Sequence, residues 1–196
     1  MNVAPSLVLP VRIGGLLLIV TALLFVVGGL LILLSPVGGL DQVAPGLTYY
    51  LGLVLAAPAF AAWYAALSPS GGWRGWIGFG LAAMGAVGYG TAAFLVLPLA
   101  AGVTAAHDVW VYAMVTAPVL PIGALAFFSG SMLLAWASMD SPILPRLGGL
   151  LALIGFALWL VAFFMPPALA WLLTVANIVG GIGLAWIGWA IWSRSR

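Results

Sequence analysis

Long apolar stretches alternate with short polar links along the whole chain. A helix of roughly 20 residues crosses a hydrocarbon core of about 30 Å, and six stretches are long enough to do so. They lie at about 13–34, 49–67, 75–97, 109–137, 147–165 and 168–192. The pattern predicts an all-α integral membrane protein. We expect a single transmembrane domain over residues 1–196, built as an antiparallel bundle of six transmembrane helices.

The third stretch differs from the others because it carries little side-chain bulk. Gly78, Ala82, Ala86 and Gly90 place a small residue at every fourth position. In lipid the hydrophobic effect gives helices little reason to associate, so close contact across such faces supplies much of their attraction. We therefore predict that these four residues pack against neighbouring helices and that the third helix lies near the centre of the bundle.

Composition excludes several classes of protein. The chain is 66% hydrophobic and 4% charged, whereas soluble domains carry roughly 25% charged residues. Its net charge of +2 is too small for a nucleic-acid surface. Because there is no cysteine, disulfides and thiolate metal sites are excluded as well. A water-soluble fold and a nucleic-acid partner are therefore ruled out.

The charged residues predict an orientation. In a six-span zigzag one side of the membrane receives every arginine, namely Arg12, Arg74, Arg146, Arg194 and Arg196. The other side receives Asp41, His107 and Asp108. Basic residues are enriched in cytoplasmic loops. We expect a multi-pass protein of a bacterial cytoplasmic membrane with both termini in the cytoplasm.

Three of the expected helices begin alike. Their first residues are RIGGLLLI at Arg12, RGWIGFGL at Arg74 and RLGGLLAL at Arg146. Two interpretations remain open. The chain could consist of three related helical hairpins, or the positive-inside rule alone could place an arginine at each of these points.

Aromatic residues flank several of the stretches. Tyr49 and Tyr50 lie at one end of the second stretch, and Trp63 and Tyr64 at the other. Such rings are enriched at the two headgroup levels of a membrane. We predict that they form aromatic belts.

Catalytic chemistry is sparse. No Asp, Glu, Lys, Arg or His lies inside the six stretches, which removes the usual means of proton- or sodium-coupled transport. The single histidine, His107, precedes Ser129 by 22 residues, and that length of helix spans roughly 33 Å. A general base at that distance cannot activate the hydroxyl. We expect no enzyme activity, no metal and no cofactor.

A neutral polar set remains. Counted along the helices, it falls in the outer half of the membrane and comprises Tyr89, Thr91, Thr116, Thr174 and Asn177. One interpretation is hydrogen bonding between spans three, four and six, worth about 0.6 kcal/mol per pair. The other is a small pocket that binds a neutral or lipid-like molecule.

These observations lead to two functional hypotheses. The first is a structural or accessory subunit, surrounded by membrane lipids, that packs with itself or with other membrane subunits through small-residue helix faces. The alternative is a passive channel or carrier for a neutral or lipophilic molecule, which would use the outer-half polar pocket. The absence of charge inside the membrane favours the first.

Overall fold

The structure is a computed structural model that describes residues 5–34, 43–68, 70–100, 106–165 and 170–194, without the side chains of 5–8, 43, 93–100, 106–117, 170 and 194. These residues form six α-helices and no strand. The helices are α1 (Pro5–Leu34), α2 (Val43–Leu67), α3 (Gly72–Ala100), α4 (Ala106–Met139), α5 (Arg146–Phe163) and α6 (Ala170–Arg194). The predicted all-helical architecture is confirmed, and α2 begins six residues earlier than expected.

Five of the helices are long and apolar enough, over the described residues, to cross a membrane: α1, α2, α4, α5 and α6. The glycine-rich helix α3 is not among these five. Its described part is rich in glycine, which contributes little hydropathy, and it also carries Trp73, Arg74 and Trp76.

The helices are arranged as a closed ring. Each helix packs against the one before it and the one after it, and α6 packs against α1. The prediction that the third helix lies near the centre is wrong. Helix α3 contacts chiefly α4 and α2, and on its outer side Met84 is 74% exposed and Val87 is 65% exposed. Its small residues allow α3 to come very close to one neighbouring helix. That contact does not require further helices on the other sides of α3.

Consecutive helices form three hairpins, α1–α2, α3–α4 and α5–α6. The second and third hairpins pack in the same register. A Cβ atom added to Gly130 on α4 would overlap the backbone nitrogen of Ala82 on α3, and would lie 2.6 Å from the carbonyl oxygen four residues earlier. In the third hairpin a Cβ on Gly183 would overlap the nitrogen of Ala152 and lie 2.7 Å from the corresponding carbonyl oxygen. Only glycine permits this approach, because any side chain would displace backbone rather than a movable side chain.

The contacts between hairpins also repeat. A Cβ on Gly15 of α1 would lie 2.8 Å from the carbonyl oxygen of Gly188 on α6. A Cβ on Gly149 of α5 would lie 2.9 Å from the carbonyl oxygen of Ala135 on α4. Gly15 and Gly149 occupy the same place in RIGG and RLGG. The repeat in the sequence therefore corresponds to a repeat of packing around the ring.

The third junction, between α2 and α3, departs from this pattern. Here the position that matches Gly15 and Gly149 holds Ile77, which is exposed. Tyr64 and Phe79 meet across this junction instead, and their rings stack with centroids 5.3 Å apart and planes 7° apart. Two stacked rings keep helices farther apart than a glycine does. This junction therefore packs through aromatic side chains near the arginine at the start of α3.

Aromatic side chains fill the middle of the ring. Phe25 on α1, Tyr89 on α3 and Trp159 on α5 each contact Phe127 or Phe128 on α4, with centroids 4.8 to 6.4 Å apart. Such pairs stabilise beyond the area that they bury, by about 0.5–1.5 kcal/mol each. The core is thus made of interleaved rings and contains no central helix.

One end of the bundle collects charged and hydrogen-bonding groups. Arg74 forms an ion pair with Asp140 at 2.6 Å and lies over the ring of Trp136, 4.2 Å from its centroid. The Arg146 Nε donates to the carbonyl oxygen of Met139 at 3.0 Å. Since Gly15 lies next to Trp192, the start of α1 and the end of α6 meet as well. We call the end with Arg74 and Arg146 the arginine end.

Candidate functional site

The most polar group inside the bundle is the amide of Asn177 on α6, whose side chain is 2% exposed. Its Nδ2 donates to the hydroxyl oxygen of Tyr49 on α2 and, at 2.6 Å, to the carbonyl oxygen of Leu173. Its Oδ1 accepts from the Trp159 indole N–H on α5 at 2.8 Å. Both N–H groups and the oxygen therefore have partners, as a buried amide requires.

A second hydrogen bond joins α6 to α1 at the same level. The Thr174 hydroxyl donates to the carbonyl oxygen of Gly29 at 2.9 Å. Gly29 also makes room for the amide, because a Cβ added there would lie 3.0 Å from the Cβ and Nδ2 of Asn177. Two neighbouring polar residues of α6 thus connect it to α1, α2 and α5. We call Asn177, Thr174, Tyr49, Trp159 and Gly29 the Asn177 cluster.

The aromatic core encloses this cluster on one side. The Tyr49 ring lies edge-on to the Trp159 ring with centroids 5.5 Å apart, and Trp159 stacks on Phe128 at 4.8 Å. Tyr89 contacts Trp159 edge-on at 6.4 Å. These contacts fix the rotamers of the rings whose polar groups bond to Asn177.

A cavity of about 20 Å³ lies between the Asn177 cluster and the aromatic core. Its walls include Tyr49, Tyr89, Trp159, Asn177 and Gly180. A water molecule needs roughly 10–15 Å³ of such volume, whereas pockets for small organic ligands measure about 300–1,000 Å³. The cavity accommodates one water molecule and excludes a larger solute.

The five predicted polar residues do not form one group. Asn177 and Tyr89 line the central cavity, and Thr174 lies one helical turn from Asn177 against α1. Thr91 is exposed and borders a separate groove between α2 and α3. The side chain of Thr116 lies outside the described residues. The hydrogen bonds of Asn177 and Thr174 described above join α6 to α1, α2 and α5, whereas the sequence predicted bonds among spans three, four and six.

The predicted packing residues lie at two junctions. The Gly78 and Ala82 positions meet Gly130 of α4, and Ala82 is fully buried. Ala86 is 3% exposed, and a Cβ on Gly90 would lie 3.6 Å from the Cβ of Leu53 on α2. The face of small residues thus turns from α4 towards α2 along the length of α3.

The prediction that Tyr49 and Trp63 belong to aromatic belts is wrong. Trp63 is fully buried and Tyr49 is 9% exposed, so neither ring lies at a headgroup level facing lipid. The Trp63 indole N–H donates to the hydroxyl of Ser138 at 2.7 Å. One signal was present: Tyr49 and Trp63 share a helix face with the small residues Gly52, Ala56 and Ala59. That spacing indicates a face turned inward.

Together the ring of apolar helices and the satisfied polar cluster define an α-helical, multi-pass membrane protein. Comparisons with protein-family models, with curated proteins and with solved structures give no significant match.

Proposed function

We propose that the protein is a structural or accessory subunit of the membrane, which contacts a second protein through the outer face of α3. The observation that carries this proposal is Gly80, whose outward side has no atom within 4 Å of an added Cβ. Glycine inside a helix costs roughly 0.5–1 kcal/mol relative to alanine. Among the described residues no packing contact explains why α3 carries a glycine there, whereas a neighbouring protein at close range would.

The residues around Gly80 support a protein contact. One stripe of α3 exposes Trp73, Trp76, Ile77 and Met84, and the half-buried Gly80 lies among them. We call this stripe the α3 outer face. By contrast, α1 exposes only large aliphatic residues at comparable places, such as Leu16, Val20, Leu23 and Val27. A large-aliphatic face suits lipid chains, while a small residue among aromatic residues and methionine suits close helix contact.

The interior supports a structural role over transport. The central cavity has room for about one water molecule, and every polar atom of Asn177 is bonded. No solute pathway leads through a site of this size. The seam of Gly78 and Ala82 is occupied by α4. Contact with another protein must therefore use a different surface from the one proposed on sequence grounds.

Orientation follows from the arginine end. We infer that it faces the cytoplasm, because basic residues are retained on that side, and that α3 also spans the membrane between α2 and α4. Its 29 residues measure roughly 43 Å as a helix, which exceeds the hydrocarbon thickness. Both termini are then cytoplasmic, and the host is a cytoplasmic membrane.

A photo-crosslinking experiment in native membranes tests the proposed contact. A benzophenone amino acid is placed at Met84 on the α3 outer face, and in a control protein at Leu23 on α1. Leu23 is also exposed, and it lies about as far along its helix from Arg12 as Met84 does from Arg74. We expect a discrete protein adduct from Met84 and none from Leu23. Mass spectrometry then distinguishes a second copy from another chain.

A second variant tests whether the Met84 adduct reflects a specific contact or a chance collision in the membrane. Gly80→Leu starts its side chain in open space, because an added Cβ has no neighbour within 4 Å, so we expect the Met84 adduct to disappear with little change in melting temperature. Equal adducts from Met84 and Leu23, or an adduct that survives Gly80→Leu, would contradict the proposed contact.

A further inference from the structure

Two helices of the ring carry the same arrangement of one arginine and a stripe of large aliphatic residues. On α1 the residues one, four and eight positions after Arg12 are exposed, namely Ile13, Leu16 and Val20. On α5 the residues at the same distances after Arg146 are exposed as well, namely Leu147, Leu150 and Ile154. Residues with this spacing share one side of a helix. Each arginine therefore stands at one end of an apolar stripe on the outside of the bundle.

The third arginine that begins an outward-running helix has no such stripe. The residues one, four and eight positions after Arg74 are small and buried, namely Gly75, Gly78 and Ala82. Gly78 and Ala82 are covered by α4. The arrangement found on α1 and α5 is therefore absent from α3.

Arg74 also differs from the other two arginines in its partners. It is held by Asp140 at 2.6 Å, which is the one ion pair in the described part of the chain. Neither Arg12 nor Arg146 thus meets a carboxylate among those residues. Arg146 donates its Nε to the carbonyl oxygen of Met139, and its Nη groups have no partner among the described residues. These two arginines have hydrogen-bond donors and charge to offer an anion.

Exposed tryptophans place the arginine end at a headgroup level of the membrane, where such rings are enriched. Trp136 lies under Arg74, and Trp189 lies next to Trp192 with centroids 5.0 Å apart. Among the described residues this end carries one carboxylate, Asp140, and four arginines, Arg12, Arg74, Arg146 and Arg194. The excess of positive charge attracts anionic lipid headgroups, whose phosphates lie at this depth.

We propose that Arg12 and Arg146 each bind the phosphate of an anionic phospholipid, with an acyl chain along the aliphatic stripe of the same helix. A guanidinium without a carboxylate forms the charge-assisted hydrogen bonds that a phosphate accepts. Each stripe continues from its arginine for roughly 10 Å towards the middle of the membrane. A soluble acidic protein would match the charge but could not reach the stripe. The two lipid sites need α1 and α5 in the membrane, but they need no protein contact at the α3 outer face.

Native mass spectrometry of the delipidated protein in a mild detergent tests the proposal. The protein is titrated with dioleoyl phosphatidylglycerol, with dioleoyl phosphatidylcholine, and with glycerophosphoglycerol, the anionic headgroup without chains. We expect two molecules of phosphatidylglycerol to bind, each about fivefold or more tighter than phosphatidylcholine. Equal affinity for the two lipids would overturn the role of the arginines. Binding of the headgroup alone as tightly as the whole lipid would overturn the role of the stripes.

Substitutions of single arginines make the test specific. Arg12→Gln and Arg146→Gln should each remove one of the two bound phosphatidylglycerol molecules. Arg146→Lys keeps the charge and loses the Nε bond to Met139, so it should still bind both lipids if charge is what matters.

The matched control is Arg74→Gln, which removes the same charge at the same end of the bundle from an arginine that already has a carboxylate. It should bind two lipids as the parent does. Loss of a lipid from Arg74→Gln, or two lipids retained by both Arg12→Gln and Arg146→Gln, would overturn the two sites. Loss of a lipid from Arg146→Lys would do so as well.

Discussion

The backbone of Gly130 on α4 lies against the backbone of Ala82 on α3, with no room for a Cβ atom between them. Gly130→Ala would place a methyl group into the Ala82 nitrogen and within 2.6 Å of the Gly78 carbonyl oxygen. We expect α3 and α4 to be forced apart at a cost of about 1–3 kcal/mol, measured as a lower melting temperature in detergent.

The matched control for that substitution is Gly80→Ala. The added methyl group has no neighbour within 4 Å, and alanine is the better helix former. Its melting temperature should equal or exceed that of the parent. An equal fall in melting temperature for Gly130→Ala and Gly80→Ala would mean that the close approach of α3 and α4 contributes nothing to stability.

Asn177→Leu should destabilise the bundle more than the loss of one ordinary hydrogen bond. It removes the acceptor of the Trp159 N–H and the donor to Tyr49, and a buried donor without a partner costs about 1–3 kcal/mol. Thr174→Val keeps its shape and removes only the bond to the Gly29 carbonyl, so we expect a cost of about 0.6 kcal/mol. Unfolding of both variants in the same detergent measures the two losses of stability. A larger loss for Thr174→Val than for Asn177→Leu would contradict the prediction.

Thr21→Val should stabilise the protein. Thr21 is fully buried on α1, and its hydroxyl is the one buried side-chain oxygen or nitrogen in the described part of the chain that lacks a hydrogen-bond partner. Replacing it by a methyl group of similar size removes an unfavourable desolvation of roughly 1–3 kcal/mol. A lower melting temperature for Thr21→Val would indicate that the hydroxyl has a partner.

Reporter fusions test the orientation of the arginine end. A fusion after Arg196 and one within residues 38–42 should report opposite sides of the membrane, with the first in the cytoplasm. A third fusion after Gly102 should agree with the second if α3 spans. If the fusion after Gly102 instead reports the same side as the fusion after Arg196, α3 does not cross the membrane.

Apolar length alone predicted six helices, because backbone groups in lipid must be satisfied within a helix. The end of α1 at Leu34 and of α2 at Leu67 agree with the expected stretches. The position of α3 could not be predicted in the same way. Its small residues indicate that a neighbouring helix comes close. The same spacing of small residues is expected for a helix with one close neighbour and for a helix with several.

Part of the Asn177 cluster was visible in the sequence. An amide within an apolar stretch must find partners, so Asn177 and Thr174 could be selected as candidates. Their partners could not be chosen, because Tyr49 and Trp159 are as compatible with a headgroup level as with the core. Only the ring arrangement decides which helix faces α6.

Ring closure between α6 and α1 has a consequence for synthesis in the cell. Gly188 and Gly181 of α6 lie against the backbone of Gly15 and Ala22 of α1, so the first helix receives a permanent neighbour from the last one. At 5–20 residues per second, the 135 residues between Leu34 and Ala170 take roughly 7–27 s to translate. During that interval the face of α1 later covered by α6 lies against lipid or the insertion machinery. The close contact between α1 and α6 can therefore form only after α6 has been translated.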